Sequence, residues 1–146
     1  MHARQLLVLF LRLAGVSCLS AAVAVFVPRG WMAAAHEWLG FGTLPEGPMF
    51  EYLARLTSAL YAQFGGLLLL LSTRVRRYER IIRYVAWTTV LMSVVLLGMG
   101  ILGGMPLYWT GVDLAAAGLF GAVVLVLQYR LRGVEAKEEA GRTRPG

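Results

Sequence analysis

The sequence predicts an all-α membrane protein: a bundle of four transmembrane helices with a short interfacial helix on the outer side. Three observations carry that expectation. Of 146 residues, 58% are hydrophobic and only 15% charged, and mean hydropathy is +0.66, a balance that suits lipid rather than water as the solvent. Four apolar runs are each long enough to cross a bilayer, which takes about 20 residues. The basic residues gather in short blocks between those runs, where arginine and lysine set membrane orientation. The spans use nearly all of the length, leaving a transmembrane domain at residues 1–132 and a cytoplasmic tail at 133–146.

The first run, residues 5–27, stops at Pro28-Arg29-Gly30, a Pro/Gly pair that suits a helix end at the membrane surface. It exceeds the apolar region of a signal peptide, about 7–15 residues, and Ala22-Val23-Ala24 only faintly imitates a cleavage site, so it is expected to stay as a span. Gly15-Val16-Ser17-Cys18 lacks the leucine of a lipidation site. Cys18 is the one cysteine, which leaves no intrachain disulfide and no CxxC pair for redox or metal chemistry.

Residues 31–41 are too short to span and carry Trp31 and Trp38 around His36-Glu37. They read as an interfacial helix with its tryptophans at headgroup level. Gly42-Thr43-Leu44-Pro45-Glu46-Gly47-Pro48 is a turn-rich link. The second span covers residues 50–73 and the third 82–102. Gly103-Gly104-Met105-Pro106 turns tightly into the fourth, residues 107–131. The residues after Arg132 are mixed in charge and end in Pro-Gly, the composition of a frayed tail.

Orientation follows from the basic residues in the short connections. Arg4 precedes the first span, five arginines stand between residues 74 and 83, and Arg130, Arg132, Lys137, Arg142 and Arg144 close the chain. The other two connections hold Arg29 alone. For four spans the three basic segments fall on one side, which predicts a multi-pass protein of the cell membrane with both termini in the cytoplasm. The net charge of +6 therefore reads as topological, without a nucleic-acid partner. For the arginine-rich loop two readings stay open: a purely topological role, or in addition the attraction of anionic lipid or a partner.

A charge inside a span costs a few kcal/mol unless it is paired or hydrated, which makes such residues the leading candidates for function. Arg12 lies about two turns into the first span, where its stem can snorkel toward the headgroups. Glu51 and Arg55 open the second span at i, i+4 with the acid first, the favourable order. Ser58, Ala62 and Gly65 or Gly66 continue that face as a small, polar stripe. Asp113 enters the fourth span at about the depth of Arg55 in the second. The candidate site is thus an outer cluster of Glu51, Arg55 and Asp113, roofed by His36, Glu37 and Trp109 and extended inward by Tyr52, Tyr61 and Gln63. Two readings stay open: a clamp that fixes helix register, or a pocket in which Arg55 holds an anion and a carboxylate or His36 exchanges protons.

Other patterns read as packing and anchoring. Small pairs at four-residue spacing (Ser17/Ala21, Ala62/Gly66, Gly100/Gly104, Ala117/Gly121) let helices approach closely, within the bundle or in a homo-oligomer. Aromatic residues near span ends form interfacial belts. The His36-Glu37 pair lacks the companion ligands of a metal site, and no cofactor motif is present. There is no Walker glycine loop, GxSxG elbow or HExxH, so nucleotide, serine-hydrolase and zinc-peptidase chemistry have no positive support.

At Glu51-Tyr-Leu-Ala-Arg55, followed by Ser58-Ala-Leu-Tyr61 and Gly65-Gly66, ahead of a basic loop and two more spans, the chain resembles small bacterial four-helix membrane proteins of the broad DoxX-like type. The resemblance covers the four-span layout and this segment, and residues 31–41 have no place in it. Members of that type have been linked to quinone-associated or oxidative-stress complexes, and many have no known activity. The resemblance therefore implies architecture more than function.

The functional expectation is a non-enzymatic membrane subunit or accessory protein serving a membrane complex. One alternative is a small-molecule binding or transport protein using the outer cluster, and another is a membrane oxidoreductase subunit. A small multidrug transporter matches in size, but those carry a glutamate in the first helix, and none is present here.

Overall fold

The structure is a computed structural model that describes residues 3–142, with the side chains of Trp109, Asp113 and residues 134–142 outside the description. It is all-α, with no strand among the described residues. The order is α1 (Ala3–Leu19), a 3₁₀ segment (Ser20–Phe26), α2 (Arg29–Trp38), α3 (Pro48–Thr73), α4 (Glu79–Leu102) and α5 (Leu107–Arg142). Four stretches are long and apolar enough to cross a membrane: Ala3–Phe26, Pro48–Thr73, Glu79–Leu102 and Thr110–Gly133. Only 17 to 22% of each spanning window is buried within the chain, so most of these apolar side chains face outward. In water such exposure would be prohibitive, and in lipid it carries no penalty.

Local chemistry explains the boundaries. The first span changes from α to 3₁₀ at Ser20, where the Ser20 hydroxyl donates to the Ser17 carbonyl at 2.6 Å and competes with the next helical N–H for that acceptor. Two residues past the segment, Pro28 forces Val27 into extended backbone (φ −65°, ψ 130°), which ends the span. Helix α3 opens on Pro48, whose missing N–H has no helical partner to lose at that position. Helices α2 and α4 both end in a left-handed glycine: Gly40 (φ 81°) with Phe41 N–H bonding His36 O, and Gly104 (φ 71°) with Met105 N–H bonding Gly100 O. In each case the glycine N–H bonds the carbonyl three residues back, completing a Schellman cap.

The expected tail differs from what is observed. Helix α5 runs on to Arg142, and residues 133–142 are helical rather than frayed. The run 134–140 reads Val-Glu-Ala-Lys-Glu-Glu-Ala, mostly strong helix formers that extend an already nucleated helix at little cost.

The chain divides into two compact units. In the unit Leu11–Leu70, α1 and α3 meet at Gly15 and Gly65. A Cβ on Gly65 would overlap Leu19 N and lie 2.5 Å from Gly15 O, and one on Gly15 would lie 2.9 Å from Leu69 Cγ. Two facing glycines thus bring the backbones into contact, the arrangement that drives helix association in lipid. Leu11 and Leu68 are buried in the same unit.

The other unit takes in the described residues through Phe10 and those from Leu71 on. Helices α4 and α5 pack along Gly121, whose added Cβ would lie 2.7 Å from Ala86 O, and along Gly100, against the Thr110 side chain. Leu7, Leu71, Ile82, Ala86 and Val124 form its core, and Phe10 stacks on Phe120 at 5.5 Å. The small residues expected at helix contacts are used selectively: Gly100 and Gly121 are in contact, whereas Gly66 faces open space and its neighbour Gly65 is the contact.

Candidate functional site

Glu51 sits in the first turn of α3, where the positive end of the helix dipole favours an acid. Its two carboxylate oxygens are divided between two arginines. Arg29 Nη1 donates to Oε1 at 2.6 Å, and Arg55 Nη2 lies 3.6 Å from Oε2, the i, i+4 pair expected from the sequence. Arg29 also donates through Nη2 to the Pro45 carbonyl at 3.3 Å. One guanidinium thereby joins the first residue of α2, the connecting segment and the first turn of α3.

The Glu51 side chain is 28% exposed and each arginine 41%, so in water each pair would be worth at most about 1 kcal/mol. Arg55 Nε is buried and has no hydrogen-bond partner. With two guanidinium groups to one carboxylate, the group as a whole keeps one positive charge.

His36 belongs to the α2 cap. Its Nδ1 donates to the Gly42 carbonyl at 3.0 Å, and its ring packs against Phe41 (5.3 Å) and edge-on against Phe50 (6.0 Å). The ring thereby contributes the apolar contact that accompanies a Schellman cap and ties the link to the start of α3. Glu37 is exposed in the last turn of α2, and Tyr52, Tyr61 and Gln63 are exposed on α3. The hydrogen bonds and ion pairs of the Glu51 group run among Glu51, Arg29, Arg55 and the Pro45 carbonyl. Asp113 and Trp109 belong to α5, but their side chains lie outside the described residues.

Arg29 is the member that the sequence reading missed, having counted it only as the lone basic residue of the outer connections. Its position beside Pro28, in a connection otherwise without basic residues and 22 positions before an acid, was the available signal. Beside it, Val23, Phe26, Val27, Pro28 and Trp31 line a shallow apolar groove with Phe26 and Trp31 well exposed, a surface suited to the headgroup boundary.

A second polar group lies where α4 begins. Gln128 of α5 is buried and donates through Nε2 to the Glu79 carbonyl at 3.1 Å, while its Oε1 has no partner. Arg132 pairs with the Glu79 carboxylate. Among the described residues no three His, Cys, Asp or Glu side chains gather to ligate a metal.

Comparison with protein-family profiles, with curated proteins and with solved structures found no match to the chain.

Proposed function

We propose that the chain is a non-enzymatic subunit or accessory protein of a membrane complex, seated in the cell membrane with both termini in the cytoplasm. The observation that carries this reading is the division of Glu51 between Arg29 and Arg55. A carboxylate whose two oxygens are each taken by an arginine is fixed in place, which suits a tie between α2 and α3. The outward-facing majority of each span supplies apolar surface for lipid and for neighbouring helices. The DoxX-like resemblance of the segment around Glu51 and Arg55 bears on the four-span layout, and the arginine and lysine distribution supports the orientation.

Extraction from source membranes in a mild detergent tests it. The chain, 16.0 kDa alone, is expected to migrate in a larger assembly. Migration as a free monomer under every mild condition counts against the subunit reading.

A second reading rests on Arg55 Nε, buried without a partner, and on the surplus positive charge of the group. These features suit an anion site for a phosphate or carboxylate. A thermal shift with inorganic phosphate that disappears in Arg55→Ala supports it, and a shift that persists in that variant removes it.

A further inference from the structure

Arg12 occupies the interior of the first span, 17 residues of α-helix followed by seven of 3₁₀. From Arg4 the helix rises about 12 Å to Arg12, and the whole span reaches about 40 Å, against a hydrocarbon layer of about 30 Å. With the layer centred on the span, the Arg12 backbone lies about 9 Å below the boundary nearer Ala3. A stem of three methylenes leaves the guanidinium short of headgroup level.

The side chain is exposed, and among the described residues it has no hydrogen bond or ion pair. Its exposed neighbours three and four positions away on the helix are Leu9 and Val16, neither of which offers a polar partner. The described acids of the spanning helices are already engaged, Glu51 by Arg29 and Arg55 and Glu79 by Arg132. A permanent cation at that depth needs a counter-charge from outside the described chain.

We infer that the Arg12 face of the first span docks a transmembrane helix of another polypeptide, one that carries a carboxylate at matching depth. This rests on the subunit reading above and names the partner's chemistry. Charge complementarity supplies the specificity, and Leu9 and Val16 supply flanking apolar contact of the kind found between packed spans.

Two measurements test it. In the first, wild type, Arg12→Lys and Arg12→Leu are extracted from source membranes in mild detergent, sized, and their composition read by mass spectrometry. The expected result is one assembly for wild type and Arg12→Lys, containing a second polypeptide with an acid in its span, and its loss in Arg12→Leu. An assembly that survives Arg12→Leu, or that consists of copies of this chain alone, overturns the inference while leaving the subunit reading in place. A wild type that is monomeric in its own membrane sinks both.

In the second, the labelled chain is placed in phosphatidylcholine vesicles with a labelled leucine–alanine spanning peptide bearing one Glu a third of the way across, and with its Gln counterpart. The Glu peptide is expected to associate about threefold more strongly than the Gln peptide, a margin set by polar contacts between helices in lipid. Arg12→Leu should abolish the difference, and Arg12→Glu should transfer the preference to a Lys peptide. Equal association of the Glu and Gln peptides overturns the inference. So does a preference that phosphatidylglycerol removes, since the counter-ion is then a lipid phosphate.

Discussion

Arg29 Nη1 lies 2.6 Å from Glu51 Oε1 and joins residues 22 positions apart, at the first residue of α2 and the first turn of α3. That bond makes the interfacial helix part of the α3 entrance and leaves Glu51 shared with Arg55. Removing Arg29 leaves Arg55 to neutralise the acid, whereas removing Glu51 leaves two arginines facing each other. Glu51→Ala is therefore expected to destabilise more than Arg29→Ala, each by about 0.5–2 kcal/mol, with a coupling of about 0.5–1 kcal/mol in the double variant. Thermal unfolding in detergent micelles measures all three, and strict additivity refutes the tie.

Gly65 and Gly66 are neighbours with opposite environments. A methyl on Gly65 meets the α1 backbone at Gly15 and Leu19, and a methyl on Gly66 meets nothing within 4 Å. Gly65→Ala should cost about 1–3 kcal/mol by forcing the helices apart. Gly66→Ala should be neutral or stabilise by a few tenths of a kcal/mol, because alanine is the better helix former. Equal effects from the two substitutions in a denaturant titration would contradict the helix contact at Gly65.

Gln128 makes one bond and lacks another. Its Nε2 serves the Glu79 carbonyl while its buried Oε1 has no partner. Gln128→Leu removes a hydrogen bond worth about 1 kcal/mol and also a desolvated orphan of similar cost, so the net change should stay within about 1 kcal/mol. Gln128→Glu instead brings a second carboxylate toward Glu79 and should destabilise clearly more. Melting temperatures of the two variants decide it, with Leu well above Glu.

The spans were legible because hydropathy needs only a count of consecutive apolar residues, and residues 50–73, 82–102 and 107–131 all lie within observed helices. The i, i+4 pair of Glu51 and Arg55 was equally legible, being fixed by local geometry. Three features were not. Arg29 reaches Glu51 through a turn whose path depends on positive-φ glycines at 40, 42 and 47, which composition marks as a turn without giving its direction. His36, a candidate proton carrier in the sequence, is fixed by the cap that Gly40 makes, a role visible only once Phe41 N–H bonds His36 O. Gly15 and Gly65 face each other from separate helices, and a spacing rule within one helix cannot pair them.

The arginine and lysine pattern carries a topology that labelling can settle. Cys18 is partly buried within a span, so a Cys18→Ser background should fold and give a blank for maleimide reagents. In that background Arg29→Cys is expected to react with an impermeant maleimide on intact cells, because the Arg29 end of the first span emerges on the outer side in the proposed orientation. Arg77→Cys lies in the exposed arginine-rich loop between α3 and α4 and should react only after permeabilisation. Because the two sites lie at opposite ends of the same span, Pro48–Thr73, one inverted result would indicate a missing crossing, and both inverted together would reverse the orientation. Reaction of Arg77→Cys from outside on sealed cells refutes the proposed topology, and with it the placing of the Arg29–Glu51 pair in the outer leaflet.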